Sequence, residues 1–189
     1  WVTSPFLLQR FKRDTEIAGG GAPQGIPGVS NEEDCLVSND ETVLTLPVAG
    51  VDRIVLEDVL FVPQTSEAIH TWAQWLGKYL FKHDEGWQQA FIRRFCVVHD
   101  DVLSYLLDVG MEVTARIRID DEKKTVARGA LWYEESLPAE SIMAGLMVID
   151  PIKATEGEVM RTIKEIVAQP LQVGGNATVG RGLCRMVMA

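Results

Sequence analysis

The sequence predicts an α+β fold built on an antiparallel sheet, and three patterns predict it. Val113, Ala115, Ile117 and Ile119 alternate with Thr114, Arg116 and Arg118, as in a strand whose successive side chains point to opposite faces. Trp72, Trp75, Leu76 and Tyr79 recur at the three- and four-residue spacing of a helix. Strand-like runs outnumber helical ones and are joined by short polar turns, which favours hairpins.

The elements follow in order. Val2-Thr3 reads as a short strand. Ser4-Pro5 starts a helical turn running toward Arg13, with Ser4 as N-cap and Pro5 at the first helical position. Residues 18–53 carry Gly19-Gly20-Gly21, Pro23, Pro27 and the acidic run Glu32-Glu33-Asp34. They are expected to form an irregular surface insertion with strand-like pieces such as Val43 to Leu46. Residues 54–62 read as one strand, interrupted by Glu57-Asp58 and stopped at Pro63. Ser66 opens the tryptophan-bearing helix, and a second helical piece covers Trp87 to Arg94. Phe95-Cys96-Val97-Val98 is a short apolar run of the buried-strand kind. Asp100 is expected to cap a helix through Val102, Leu103, Leu106 and Leu107, ended by Gly110. A hairpin spans about 111–135, and a further strand is expected near Ile142 to Ile149. Val159, Ile163, Ile166 and Val167 share one face of a helix that starts at Thr155 and ends before Pro170. The chain closes with two short apolar runs, Leu171 to Val173 and Leu183 to Met188, either side of a glycine-rich loop. One domain is expected over 1–189, with no internal repeat.

Composition narrows the function classes. The 189 residues are 47% hydrophobic and 24% charged, as in an ordinary globular domain. No apolar run approaches the ~18 residues of a membrane-span candidate, and no leader pattern opens the chain. The chain opens on Trp1, so it is expected to begin partway through a longer protein. The three cysteines and three histidines are scattered, with no CxxC or HExxH pattern, so no zinc site is expected. Reduced thiols and a cytoplasmic location are expected. A net charge of −9, from 27 acidic and 18 basic residues, argues against gripping nucleic acid by bulk charge. Basic groups cluster locally in two places.

The first is the hairpin, where Arg116 and Arg118 face Lys123, Lys124 and Arg128 across the turn. Such a hairpin is suited to lie along a phosphate backbone. The plainer account is a solvated face balanced by Asp120, Asp121 and Glu122. The second is the loop Gly174-Gly175-Asn176-Ala177-Thr178-Val179-Gly180-Arg181-Gly182, whose glycines permit positive φ and close approach to a ligand. Arg181 and Arg185 add planar forks that match phosphate. No Lys-Ser/Thr follows the glycines and no helix opens after them, which excludes a Walker loop and a dinucleotide fingerprint. Glu134 and Glu135 point to opposite faces of a strand, so they are no carboxylate dyad, although one alone is a candidate for metal or proton chemistry. His99 beside Asp100-Asp101, and His70 on a helix, have no nucleophile spaced to complete a triad. Trp72, Trp75 and Trp87 suit a core better than a base-stacking platform.

Three segments together resemble one family. They are Trp1-Val2-Thr3-Ser4-Pro5-Phe6-Leu7-Leu8 with Arg10 and Arg13-Asp14; Arg116-Ile117-Arg118-Ile119-Asp120 with Gly129-Ala130-Leu131-Trp132-Tyr133-Glu134-Glu135-Ser136-Leu137-Pro138; and the closing glycine loop. In this order they resemble the backbone subunit of the type III-B CRISPR (Cmr) effector complex, within the RAMP superfamily. The resemblance implies a modified ferredoxin-like (RRM-like) sheet with insertions and a projecting β-hairpin, here lacking its amino-terminal part. It implies repeated copies along a guide RNA, beside other Cmr subunits and a target RNA. For the complete protein it implies metal-assisted endoribonuclease action, with a divalent metal such as Mg, through an aspartate expected upstream of Trp1. Arg116, Arg118, Lys123, Lys124, Arg128, Gly174, Gly175, Asn176, Thr178, Gly180, Arg181 and Gly182 are the expected RNA-binding residues, and no catalytic or metal-binding residue is expected within the chain. Two alternatives stay open at this point: a RAMP endoribonuclease that processes guide precursors, with His99 or His70 as base, and an assembly module without RNA contact.

Overall fold

The computed structural model describes residues 1–39, 41–119, 122, 125–150 and 152–188, with the side chains of residues 127 and 128 excepted. Along the chain lie β1 (Val2–Thr3), α1 (Pro5–Ile17), β2 (Asp34–Val37), β3 (Thr45–Val48), β4 (Val51–Leu56), β5 (Val59–Thr65), α2 (Glu67–Leu80), α3 (Glu85–Arg94), β6 (Cys96–Val97) and α4 (Asp100–Val109). They continue with β7 (Glu112–Ile119), β8 (Val126–Ser136), α5 (Glu156–Val167), β9 (Leu171–Gln172) and β10 (Leu183–Cys184). The α+β class holds. No helix among the described residues is long and apolar enough to cross a membrane.

The main sheet has the order β1-β6-β2-β5-β4-β3. It is mixed rather than purely antiparallel, because β1 runs parallel to β6 and β2 parallel to β5. Only the β2–β6, β4–β5 and β3–β4 pairs are antiparallel. Alternation along the central strands splits the core in two. Val97 packs with Leu8 of α1, Ile69 and Trp72 of α2, and Phe91 and Phe95 of α3 or its end. Cys35, Val37, Cys96 and Val98 face the other way, against Ile54, Phe61 and Leu103 and Leu106 of α4. The sheet is therefore covered on both faces, as its apolar central strands require.

Several local expectations are corrected. Residues 18–53 supply β2, a central strand, with Cys35 and Val37 fully buried, besides β3 and the start of β4. The glycines and prolines around β2 hid a strand only four residues long. The acidic pair Glu57-Asp58 is the turn of a β4–β5 hairpin, with Leu56 opposite Val59 and Glu57 at φ 53°. Pro63 does not stop β5; it pairs in register with Cys35 of β2. The β4 ladder has already ended at Ile54–Phe61, so the N–H that proline lacks is not needed on that side. Residues 142–149 form no strand.

Helix starts were more legible. The Ser4 hydroxyl accepts from the Leu7 N–H, Ser66 caps α2, and Thr155 and Glu158 form a reciprocal capping box on α5. Asp100 is the exception: its carboxylate accepts from the Phe6 N–H at 2.9 Å, so it caps α1 from across the fold. His99 Nδ1 takes the Asp101 N–H of its own helix instead.

Trp72 is fully buried and its indole N–H bonds the Gly25 carbonyl at 2.6 Å, pinning the 18–33 segment to α2. Trp72→Ala should cost about 3–5 kcal/mol in urea unfolding, from lost burial and the cavity left behind. Ile117→Ser, on an exposed hairpin face, should change the same midpoint by less than about 0.5 kcal/mol.

Candidate nucleic-acid interface

The hairpin β7–β8 stands apart from the main sheet as its own two-stranded ladder. Its register places Thr114 opposite Glu134, Arg116 opposite Trp132 and Ile117 opposite Leu131. Directly opposed residues project to the same side. One face thus carries Thr114, Arg116, Trp132 and Glu134, and the other carries Val113, Ala115, Ile117, Leu131 and Tyr133. A half-buried strand would bury the apolar face. Here the reverse holds: Tyr133 is 68% exposed, Leu131 57% and Ile117 51%, while Thr114, Arg116 and Glu134 are partly covered.

The polar face is covered by the glycine loop. Arg181 donates through Nη2 to the Thr114 hydroxyl at 3.0 Å, and its Nη1 lies 3.6 Å from Glu134 Oε2. Arg116 donates through Nε to the same carboxylate oxygen at 3.1 Å, and the Trp132 indole N–H reaches Oε1 at 3.1 Å. Two cations and an indole thus converge on one carboxylate. The Trp132 hydrogen bond, then the Arg116 hydrogen bond and the charges of Arg116 and Arg181, hold the Glu134 carboxyl below its ordinary pKa.

Backbone geometry explains the glycines. Gly174, Gly180 and Gly182 have φ of 79°, 78° and 77°, and Asn176 has 66°, all in the left-handed region. A β-carbon on Gly182 would collide with the Val173 carbonyl. The Val173 N–H bonds the Gly182 carbonyl at 2.8 Å, and a single 3₁₀ turn, Ala177–Val179, sits at the tip. The N–H groups of Gly174, Gly175 and Asn176 take no acceptor among the described residues, and all three residues are exposed, as is Thr178.

The expected site residues are therefore divided. Arg116 and Arg181 are brought together. Arg118 lies at the register shift between Ile117 and Ile119, exposed and without a hydrogen bond or ion pair among the described residues. Arg128 lies on β8. Lys123 and Lys124 fall outside the described residues. Arg185 serves packing: it donates to the Leu80 carbonyl at 2.8 Å and sits 5.4 Å over the Phe81 ring, so it anchors the loop's base to the end of α2. Glu134, Thr114 and Trp132 were not among the expected binding residues. Alternation alone would have placed all three on the arginine face, had the register been known.

Elsewhere, the cysteines form no disulfide. Glu32, His99 and Asp101 bring donor atoms within 4.8 Å of one another at the start of α4, and none belongs to the hairpin or the loop. His70 pairs with Gln74 at 2.8 Å on its own helix. Among the described residues, neither histidine is hydrogen-bonded to a nucleophile.

The family model of the RAMP superfamily matches residues 20–185. The chain is 31% identical over 199 aligned positions to the CRISPR system Cmr endoribonuclease Cmr4 of Pyrococcus furiosus. All of the chain is aligned, and it spans 61% of that relative's length. The crystal structure of oligomeric Cmr4 from Pyrococcus furiosus has a similar fold, with a TM-score of 0.55 at 24% identity over 96% of this chain and 61% of that one. So does the cryo-EM structure of the type III-B Cmr-beta complex bound to cognate target RNA, with a TM-score of 0.55 at 16% identity over 96% of this chain and 58% of the other.

Two outcomes follow from the geometry. Gly182→Ala should destabilise by about 1–3 kcal/mol in urea unfolding, through a positive φ and a backbone collision. Gly175→Ala, with open space at its Cβ, should stay within about 0.5 kcal/mol. Because the folded-state pKa of Glu134 is lowered, its stabilising ties persist above the ordinary glutamate range and are lost as pH falls through that lowered value. The Trp132 indole N–H resonance should shift in that acidic window and stay flat in Glu134→Gln.

Proposed function

Given that the chain belongs to the RAMP superfamily, we propose that it is part of the guide-RNA-binding backbone subunit of a type III-B CRISPR (Cmr) effector complex. The observation that carries this reading is the joining of hairpin and glycine loop through Arg116 and Arg181, beside three unclaimed backbone N–H groups. Both kinds of donor suit phosphate oxygens. They read shape and charge, leaving sequence to base pairing. A local grip of this kind is compatible with a net charge of −9, because only the contact face need be cationic.

Arg116, Arg118, Arg128, Arg181 and the Lys123–Lys124 turn are the proposed phosphate contacts. Gly174, Gly175, Asn176, Thr178, Gly180 and Gly182 shape the loop and present its backbone. The proposed frame is a modified ferredoxin-like sheet with insertions. Neighbouring copies of the chain and other Cmr subunits are the proposed protein partners, and the exposed apolar face around Ile117, Leu131 and Tyr133 is of the kind that such contacts cover. Target-RNA cleavage and its divalent metal belong, in this reading, to the complete protein. The one convergent donor set among the described residues, Glu32, His99 and Asp101, lies outside the hairpin and the loop. It does not fit a metal acting at this interface, and no step is derived through one.

Filter binding of the full-length protein to guide RNA tests the loop. Arg181→Ala should weaken binding about three- to tenfold and flatten the salt dependence. Gly180→Asp, which keeps a residue tolerant of the left-handed region while adding a negative charge, should weaken it further. Unchanged affinity in both variants would remove the loop from the RNA contact.

A further inference from the structure

We propose that Glu134 is a positioning residue, whose carboxylate holds Arg116 and Arg181 side by side so that hairpin and glycine loop present one face to a phosphate backbone. The inference rests on the RNA-contact reading of that face and assigns its internal organisation.

Arg116 and Arg181 lie on separate elements, and two guanidinium groups this close repel unless an anion sits between them. Glu134 Oε2 is that anion, 3.1 Å from Arg116 Nε and 3.6 Å from Arg181 Nη1. It is itself oriented by the Trp132 indole on Oε1. The terminal nitrogens of Arg116 take no partner among the described residues, so the carboxylate consumes only the inner edge of that fork. The loop has little else to fix it against the hairpin. Its residues from 173 to 182 include none that is buried, four of them adopt positive φ, and among the described residues its polar ties to the hairpin are those of Arg181 to Thr114 and Glu134. Removing the carboxylate would free two long side chains and the loop that carries one of them. Ordering them again on binding RNA costs affinity.

The sign of the effect makes the inference testable. If Glu134 acted only as a nearby negative charge, its neutralisation would strengthen RNA binding. A positioning role demands the opposite. The measurement is equilibrium binding of a fluorescein-labelled single-stranded RNA to the full-length protein as wild type, Glu134→Gln, Glu134→Asp, Arg181→Ala and the Glu134→Gln/Arg181→Ala double variant, with a thermal melt of each. Glu134→Gln is expected to weaken binding about fivefold while the melting temperature falls only slightly, because half-exposed ion pairs add little to global stability, and Glu134→Asp to recover part of the loss. The double variant should lose less than the two single losses combined, because part of the effect of Glu134 runs through Arg181 and the rest through Arg116. Wild-type or tighter binding by Glu134→Gln, with Arg181→Ala weakened, overturns the positioning role and leaves the RNA-contact reading intact. Additive losses in the double variant also overturn it. Unchanged binding by Arg181→Ala and Glu134→Gln alike overturns both.

Discussion

The structure depends on the burial of β2 and β6 from both sides. Cys35, Val37, Cys96, Val97 and Val98 are all at or below 1% exposed. Strands so short have few ladder hydrogen bonds, and they are held by apolar layers rather than by length. α1, α2 and α3 supply one layer and α4 the other. The two cysteines act as small apolar groups within this arrangement. A hydrogen bond to Cys96 and burial push the Cys35 thiol well above its ordinary pKa, so it stays protonated and unreactive. A polar or larger residue at either position would disrupt the layer they share with Ile54, Phe61, Leu103 and Leu106.

Beyond this frame the construction changes. Among the described residues, the hairpin β7–β8 and the segment from 137 onward contribute no side chain to either core cluster. α5 has an apolar face but buries no residue fully. Among the described residues, polar ties of this half to the frame are Arg185 on the Leu80 carbonyl and the Phe81 ring, and the Trp1 indole on the Glu140 carbonyl. What ties its own parts together is the Glu134 cluster. Single ion pairs at half-exposed positions are worth little, so a shared carboxylate with three donors is a more effective joint than separate pairs. It also leaves the loop backbone free for a ligand.

Sequence reasoning recovered what local chemistry decides. Ser4-Pro5, Ser66 and Thr155–Glu158 announce helix starts through the hydroxyls that satisfy free N–H groups. The hairpin strands were visible from their alternation. β2 was missed because four residues between glycine- and proline-rich stretches carry no periodic signal. The β4–β5 hairpin was missed because Glu57-Asp58 looked like an interruption rather than a turn. The local pattern points Asp100 to its own helix, because a carboxylate that accepts a capping hydrogen bond across 94 residues has no local signature.

The site shows the same division. The residue types were legible: glycines where φ must be positive, arginines suited to phosphate, and three motifs that together resemble the RAMP superfamily. By itself the sequence determined these and the α+β class, because each rests on covalent structure and short-range periodicity. Tertiary structure alone decided that the sheet is mixed, that the hairpin's polar face is the covered one, and that Arg181 shares Glu134 with Arg116 while Arg185 is spent on packing. Those outcomes depend on strand register and on contacts between elements distant in the chain, as in the 67-residue separation of Arg181 from Thr114. No local pattern encodes such pairings, because their free energy comes from surfaces that exist only once the chain has folded.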